Sequence, residues 1–238
     1  MNAGENDRLV TLLTREYGIL KAYVPGAKSI KSKRSPATTL LTYSNFTVNR
    51  KNEVFRITEA SAITSFFTAG TELEVLSLSQ YFCELSYTFV QPMTPNEEFL
   101  RLILNSLHFL TKEKKYPPLI KAITEFRIAA ISGYMPDLLA CKVCGKFEDE
   151  IMYFNIENGS LCCGECIEQT TGYMAIDAAI LSAMRHIALS EFGKLYAFEL
   201  SKKSADRLSL LTERYLTFQS DNSFAALDFY NHCRHGKL

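Results

Sequence analysis

The spacing of the cysteines constrains this chain more than any other feature of its sequence. Five of the seven cysteines fall within 26 residues, and four of them form two Cys-x2-Cys pairs separated by eighteen residues, Cys141 with Cys144 and Cys163 with Cys166. A two-residue gap lets both sulfurs of a turn point to one centre, so two such turns can close four thiolates around one ion. The spacing predicts one tetrahedral zinc ion in a closed, structural site with no open position for catalysis.

The fifth cysteine of the cluster leaves an alternative for one ligand. Cys162 directly precedes Cys163 and could replace it, although only Cys163 keeps the two-residue gap to Cys166. The cluster could also be two pairs of reduced thiols or an adventitious disulfide, but this spacing favours a metal over a disulfide framework. We expect Cys83 and Cys233, which lie outside the cluster, to be ordinary residues.

The length and hydropathy of the chain predict a folded, cytoplasmic protein. At 238 residues, 47% of them hydrophobic, the chain is long enough for two domains and can bury a sizeable core. It contains no run of 18 apolar residues, which argues against a membrane span, and its first eight residues lack the layout of a secretory signal.

The first third of the chain has the two-residue period of β-strands. From Leu9 to about Ile63, short β-type runs at 19–24, 39–43, 45–48 and 53–57 alternate with turn residues, and 49–52 form a polar hairpin turn. Four or so short antiparallel strands favour a compact barrel, because closing the sheet removes its exposed edges.

After Thr71 the period changes to that of α-helices. A capping box at Thr94–Glu97 should start one helix with Pro95 at its first position, and Asn158-Gly159 predicts a type I′ hairpin inside the cysteine module. The prediction is an α+β chain: a β domain at 1–70, then an all-α helical domain at 71–238 with a zinc module at 138–170 inserted. Further helices are expected at about 118–132, 177–190 and 204–218.

Positive charge is concentrated in the β domain. The whole chain is neutral, with 26 basic and 26 acidic residues, but from Arg15 to Arg56 nine cations face two carboxylates. A cationic groove gains entropy by releasing the counterions of bound phosphates, and no side chain here is arranged to read base edges. We therefore predict nucleic-acid binding, largely independent of sequence, by Lys21, Lys28, Lys31, Lys33, Arg34, Arg50, Lys51 and Arg56.

Two structural alternatives accompany this prediction. Tyr17, Tyr23, Tyr43, Phe46 and Phe55 interleave with the cations and either stack on unpaired bases, at about 1 to 3 kcal/mol each, or belong to the core of the barrel. The basic run from 28 to 34 either contacts the phosphate backbone or is a solvated loop.

The sequence lacks the motifs of an enzyme. It contains no Walker loop, G-x-G-x-x-G, H-E-x-x-H or G-x-S-x-G, and no histidine has a nearby carboxylate suited to general base catalysis, so we predict no catalytic residues. A zinc-ribbon adaptor that binds an acidic protein partner without touching DNA is the alternative function. Arg127 is a candidate contact for an acidic peptide tail, although a single arginine on a helix is more often solvated or packed.

Four segments resemble a known family. The first segment, near the start of the chain, is Gly4–Gly18, and the second is Val24–Lys28 with Lys31, Lys33 and Arg34 after it. The third is Ile131–Gly145, which includes the first cysteine pair, and the fourth is Gly159–Cys166 at the end of the module. In this order, and over nearly the whole chain, these segments resemble the RecO family of bacterial recombination mediators.

The resemblance implies a fold and a set of partners. It implies an N-terminal OB-fold barrel, a helical domain and an inserted zinc module. It further implies a nucleoid-associated protein that binds single- and double-stranded DNA, anneals complementary strands and helps to load RecA. Its partners would be RecR and the C-terminal tail of single-strand binding protein, and no catalysis is implied. The family features that carry over are the four cysteines and Lys28, Lys31, Lys33 and Arg34.

The chain departs from the family pattern at two places. Family members have a further strand before the segment that corresponds to Gly4–Asp7, so either the barrel lacks its first strand or the start codon lies further upstream. Pro25 stands where a lysine is common in the family, which removes one phosphate contact.

Overall fold

The computed structural model describes residues 5–29, 31–168, 171–234 and 236. The chain forms two compact units, one comprising Met1–Lys114 with Ala225–Leu238 and the other Lys115–Phe224. A domain boundary near residue 70 stays a prediction. No helix in the described ranges combines the length and the apolar character that crossing a bilayer requires.

The first unit contains a four-stranded sheet. Its strands are β1 (Arg8–Thr14), β2 (Gly18–Val24), β3 (Thr42–Lys51) and β4 (Val54–Ser65), in the spatial order β1-β2-β4-β3. β1 pairs antiparallel with β2, β2 parallel with β4, and β3 antiparallel with β4. The predicted β domain is thus confirmed as a sheet, with β1 and β3 as the edge strands of its described ladders.

The strands predicted at 39–43 and 45–48 are wrong in their bounds. β3 is continuous from Thr42, and Pro36–Thr38 form a 3-10 turn just before it. Proline has φ fixed near −65°, which suits the first residue of such a turn. The β3–β4 turn is also shorter than predicted, because only Asn52 and Glu53 lie between the strands, with φ of +48° and +62° as a type I′ turn requires.

The two edge strands pack on one apolar cluster. Ala22, Val24 and Ile57 are fully buried at its centre, and Val10 of β1 and Phe46 of β3 pack against them. Strands from both edges of the sheet therefore share one apolar cluster on the same face.

Three helices complete the first unit: α1 (Leu73–Phe89), α2 (Glu97–Thr111) and, near the end of the chain, α6 (Ala225–Arg234). The predicted start of α2 is wrong by two residues. Asn96 is the N-cap, since its side chain accepts a hydrogen bond from Phe99 N at 3.0 Å, so Pro95 precedes the helix. Asn is among the strongest N-cap residues and stands nearest the apolar run.

The second unit contains the helices α3 (Pro117–Ile131), α4 (Ala178–Leu189) and α5 (Lys202–Ser220). The helices predicted in this region are therefore confirmed to within a few residues. Between α3 and α4 lies a three-stranded sheet of β5 (Ile151–Asn155), β6 (Leu161–Cys163) and β7 (Tyr173–Asp177), in the order β6-β5-β7. The predicted β insert is present and has one more strand than expected.

The type I′ turn predicted at Asn158-Gly159 is wrong. The loop from β5 to β6 spans residues 156–160, and Gly159 takes φ of +66°. A Cβ at Gly159 would lie 2.6 Å from Tyr215 Oη and 3.3 Å from Pro136, so both the backbone angle and the space require glycine.

A buried ionic network joins α3 to α5. Lys121 and Glu125 are fully buried, and Lys121 Nζ lies 2.9 Å from Glu125 Oε1 and 2.8 Å from Glu213 Oε2. The Thr212 hydroxyl donates to Glu125 Oε2 at 2.7 Å. Charges can be buried at this depth only when partners offset the cost of desolvation, so the network fixes how the two helices pack.

Candidate nucleic-acid interface and metal centre

Two tight turns present the paired cysteines. In the first turn Cys141 N donates to Lys146 O at 2.8 Å and Gly145 N to Cys141 O at 2.9 Å; in the second, Cys166 N donates to Cys163 O at 3.1 Å. An isolated parallel bridge between Cys141 and Leu161, the first residue of β6, brings the two turns together.

The four predicted sulfur ligands converge. The Sγ atoms of Cys141, Cys144, Cys163 and Cys166 all lie within 4.8 Å of one another, and Cys144 Sγ is 3.7 Å from Cys163 Sγ. Four sulfurs at about 2.3 Å from a tetrahedral ion would be about 3.8 Å apart. The residues therefore fit a metal ion, and Cys162 does not belong to the converging group.

The backbone around Cys141 favours a thiolate. Burial by itself would raise the pKa of the Cys141 thiol, but hydrogen bonds from the backbone N–H groups of Cys144, Cys163 and Val143 outweigh it and lower the pKa to about 6. Because a metal binds the thiolate form, these N–H groups prepare the site for a cation.

Sequence reasoning did not single out two residues that support the candidate sites. Lys146 Nζ lies 3.2 Å from Asp149 Oδ2 and 3.0 Å from Glu165 Oε1, which ties the first cysteine turn to the second. Arg8 Nη1 donates to Thr38 O at 3.0 Å and so anchors the end of the basic loop. The position of Lys146 beside the first Cys-x2-Cys motif could have indicated its role. No local pattern indicates the role of Arg8, because its partner Thr38 is 30 residues away.

Three of the predicted DNA contacts share the face of the four-stranded sheet opposite the apolar cluster, called the outer face below. Tyr23 of β2 is opposite Arg56 of β4, which in turn is opposite Asn49 of β3. Alternate residues of a strand share a face, so Lys21 and Lys51 emerge on the same side as this row. All three cations on this face are exposed.

The basic loop between β2 and β3 is held against the sheet. Gly26 N donates to Asp7 Oδ1 at 2.9 Å, and Arg34 Nη1 donates to Thr58 O of β4 at 3.2 Å, two residues from Arg56. The loop therefore places its lysines beside the strands and leaves their side chains exposed: Lys28, Lys31 and Lys33.

Arg50 is set apart from the other predicted contacts. It is opposite Phe55, which packs against the apolar cluster, so Arg50 extends on the opposite face of the sheet from Arg56. Its guanidinium lies 5.5 Å from the Phe55 ring centroid and 3.7 Å from Glu53 Oε1. Of the eight predicted cations, it is the one with a carboxylate partner among the described residues.

The five interleaved aromatic residues divide between surface and core. Phe46 and Phe55 pack against the apolar cluster, whereas Tyr17 and Tyr43 are exposed and Tyr23 is half-buried on the outer face beside Arg56. The core alternative thus holds for the two phenylalanines, and the three tyrosines can offer ring faces to bases.

Arg127 has a structural role in the second unit. Its Nη1 donates to the carbonyls of Ile187 at 3.2 Å and Ala188 at 2.8 Å, at the C-terminal end of α4, and its guanidinium lies 5.0 Å from the Phe192 ring. A cation is favourable at a helix C-terminus. Contact of Arg127 with an acidic peptide stays a prediction.

Comparison with known proteins agrees with the order of these features. The model for the recombination protein O N-terminal domain matches residues 1–66, and that for the recombination protein O C-terminal domain matches residues 70–228. Relatives named DNA repair protein RecO include those of Acetivibrio thermocellus and Caldicellulosiruptor saccharolyticus. The former is 28% identical over 96% of this chain and 91% of its own length, and the latter is 28% identical over 97% and 93%.

A third relative of the same name, from Dehalococcoides mccartyi, is 28% identical over 94% of this chain and 88% of its own. The two family models together span the four-stranded sheet and the cysteine module. The chain therefore belongs to the recombination protein O family.

Proposed function

We propose that this protein is a non-enzymatic recombination mediator in DNA repair. It binds single- and double-stranded DNA largely without sequence preference, anneals complementary strands, and helps to load a recombinase onto DNA coated with single-strand binding protein. The observation that carries this proposal is the cationic outer face of the four-stranded sheet. Lys21, Lys51 and Arg56 lie on that face, beside the loop that bears Lys28, Lys31, Lys33 and Arg34.

The chemistry of this surface suits a mediator. Contacts between lysine or arginine and the phosphates carry no sequence information, so the bases of the bound strand stay free to pair with a complement. None of the seven cations above forms an ion pair with a carboxylate in the described ranges, so their charge is available to a polyanion. The exposed tyrosines add ring faces on which unpaired bases can stack.

The cysteine cluster would hold one zinc ion in a structural site. Cys141, Cys144, Cys163 and Cys166 supply four soft sulfur donors, the set that zinc prefers, and they leave no position for a water ligand. The ion would brace the two turns of the module and take no part in chemistry.

Family membership supports the remaining partners. We propose RecR and the C-terminal tail of single-strand binding protein as direct partners, RecA as the recombinase served indirectly, and the nucleoid as the site of action. Arg127 is the proposed contact for the acidic tail. Because the Arg127 guanidinium already donates to a carbonyl at the C-terminal end of α4, the acidic tail would contact Arg127 beside that end of the helix.

An annealing assay tests the DNA and partner proposals together. Two complementary oligonucleotides, one carrying a fluorophore and the other a quencher, are each coated with single-strand binding protein and mixed with this protein. We expect faster quenching with the wild type and little acceleration with Lys28, Lys31 and Lys33 all replaced by Ala. A matched variant with Lys194, Lys202 and Lys203 of the second unit replaced by Ala should anneal like the wild type. No acceleration by the wild type, on coated or bare strands, would refute the proposal and favour a protein-binding adaptor.

A further inference from the structure

The outer face of the four-stranded sheet continues onto the last turn of α1. Tyr87, near the end of that helix, is 56% exposed, whereas the preceding Ser86 is buried. Lys21 of β2 donates from Nζ to the Tyr87 hydroxyl at 3.1 Å, and this Nζ lies 5.1 Å from the centroid of the Tyr87 ring. Tyr87 is not one of the five aromatic residues that interleave with the cations in the sequence, and it is the fold that places it beside a predicted DNA contact.

A close approach between two backbone segments holds the end of α1 in this position. Pro92, which follows that end by three residues, forms a bridge with Gly18 at the start of β2, and Met93 N donates to Tyr17 O at 2.8 Å. Gly18 has φ of +55°, and a Cβ on it would lie only 2.6 Å from Thr94 O. Glycine is therefore required at this position, and it lets the chain after α1 pack directly on β2.

Cations and aromatic rings alternate from the sheet to the helix. Arg56 of β4 is opposite Tyr23 of β2. Lys21 lies two residues before Tyr23 on the same face, and Tyr87 follows through its contact with Lys21. Both cations are exposed, and neither forms an ion pair with a carboxylate among the residues that the structure describes. An unpaired nucleic-acid strand also alternates charged phosphates with flat bases, so this row matches its chemistry.

The contact between Lys21 and Tyr87 leaves both side chains able to bind a nucleotide. A lysine ammonium has three N–H donors, so its bond to the Tyr87 hydroxyl leaves two for a phosphate. A ring that is more than half exposed offers a flat face to a base, and stacking strengthens binding whichever base is present. In a duplex each base is already paired and stacked between its neighbours, so this ring can reach a base only in an unpaired strand.

We propose that Tyr87 stacks on an unpaired base while Lys21 binds the adjacent phosphate, so that the DNA site extends onto α1 and prefers single strands. This inference rests on the proposed function and names a determinant of strand preference within it. The phosphate contacts of the sheet serve both forms of DNA, whereas the Tyr87 contact serves single strands alone. After annealing, the duplex product loses the Tyr87 contact and leaves the protein more readily than the single strands do.

Fluorescence anisotropy on the full-length protein tests the strand preference, with a labelled oligothymidylate and a labelled duplex of equal length at about 100 mM salt. Tyr87→Ala should weaken binding to the oligothymidylate at least about fivefold and leave duplex affinity within about twofold of the wild type. Tyr87→Phe keeps the ring and should bind like the wild type, whereas Tyr87→Leu keeps apolar volume without a flat face and should bind like Tyr87→Ala. The matched control is Phe218→Ala, which removes a ring that is 54% exposed on α5 and should leave both affinities unchanged.

The chain contains no tryptophan, which allows stacking to be observed directly. Tyr87→Trp introduces one indole at the proposed contact, and Phe218→Trp introduces one in the second unit as its control. Saturating oligothymidylate should strongly quench the fluorescence of the Tyr87→Trp variant, because the indole then stacks on a base. Saturating duplex should leave that fluorescence nearly unchanged, and neither DNA should alter the fluorescence of the Phe218→Trp variant.

The outcomes separate this inference from the proposed function. If Tyr87→Ala binds oligothymidylate as tightly as the wild type, or weakens both forms of DNA equally, the inference is overturned and the proposed function stands. Quenching of the Tyr87→Trp variant by duplex as strongly as by oligothymidylate would overturn it in the same way. A wild type that binds neither form of DNA would refute the proposed function, and this inference with it.

Discussion

Removing the three loop lysines should change the salt dependence of DNA binding by a calculable amount. Of eight predicted contacts, Arg50 lies on the opposite face with a carboxylate partner, which leaves seven cations. If each neutralises one phosphate of a single strand, the slope of log K against log salt is about −4.9, at about 0.7 per contact. Binding should then weaken about 900-fold between about 50 and 200 mM salt.

The variant in which Lys28, Lys31 and Lys33 are replaced by Ala keeps four contacts. Its slope should fall to about −2.8, so the same change of salt should weaken binding only about 50-fold. The ratio of the two slopes is the sharper quantity, and it should be close to four sevenths.

Fluorescence anisotropy of a labelled oligothymidylate, titrated at four or five salt concentrations, measures both slopes. The control with Lys194, Lys202 and Lys203 replaced by Ala removes the same charge from exposed positions of the second unit. The reasoning fails if the loop variant keeps the wild-type slope, or if the control lowers the slope as much. A dependence of affinity on base sequence would separately contradict recognition through phosphates.

Metal analysis should find about one zinc per chain in the wild type. The variant Cys163→Ser should lose the metal. Cys162→Ser should keep it, because Cys162 lies next to Cys163 on β6 but outside the four converging sulfurs. The opposite result would show that Cys162, and not Cys163, is the ligand. Gly159→Ala should lower the free energy of unfolding, measured by urea denaturation, by about 1 to 3 kcal/mol, because the φ is positive and Tyr215 Oη occupies the space. An unchanged urea midpoint would contradict that geometry. Lys121→Met should lower the free energy of unfolding by about 3 to 5 kcal/mol, since it leaves the buried Glu125 carboxylate without its cation. The double variant Lys121→Met with Glu125→Gln should recover part of that loss in the same unfolding assay.

Local patterns predicted the features that depend on short stretches of sequence. The Cys-x2-Cys pairs indicated converging sulfurs because the geometry of each turn is fixed within four residues, and only the closure of the two turns needed the chain between them. The period of apolar residues located α3, α4 and α5 for the same reason, since each helix buries a repeating face. The predicted start of α2 was wrong because two residues that can cap a helix, Thr94 and Asn96, lie within three positions of each other.

Features that depend on contacts between distant segments had no local signal. Arg185 binds carbonyls more than 35 residues earlier in the chain, and Lys121 meets Glu213 on a different helix. Arg50 and Lys51 are neighbours in the sequence, yet the pleat of β3 sends their side chains to opposite faces, which a count of charges cannot reveal. The sequence analysis did not predict α6, a short helix near the end of the chain that packs on α1. Its Ala226 N–H donates to the Glu84 carboxylate, which lies 142 residues earlier in the chain.

The cysteine module of the second unit is acidic, whereas the proposed DNA surface of the first unit is cationic. Seven carboxylates against two lysines make the stretch from Asp137 to Glu168 acidic, and apolar side chains near Arg185 are exposed. A phosphate backbone would be repelled by those carboxylates and attracted by the exposed cations of the four-stranded sheet. On this charge balance we expect the module to contact protein rather than DNA, with the thiolate cluster stabilising the surface that would make those contacts. Mutations at the cysteines should for this reason impair protein association before they impair DNA affinity, provided that the sheet of the first unit stays folded.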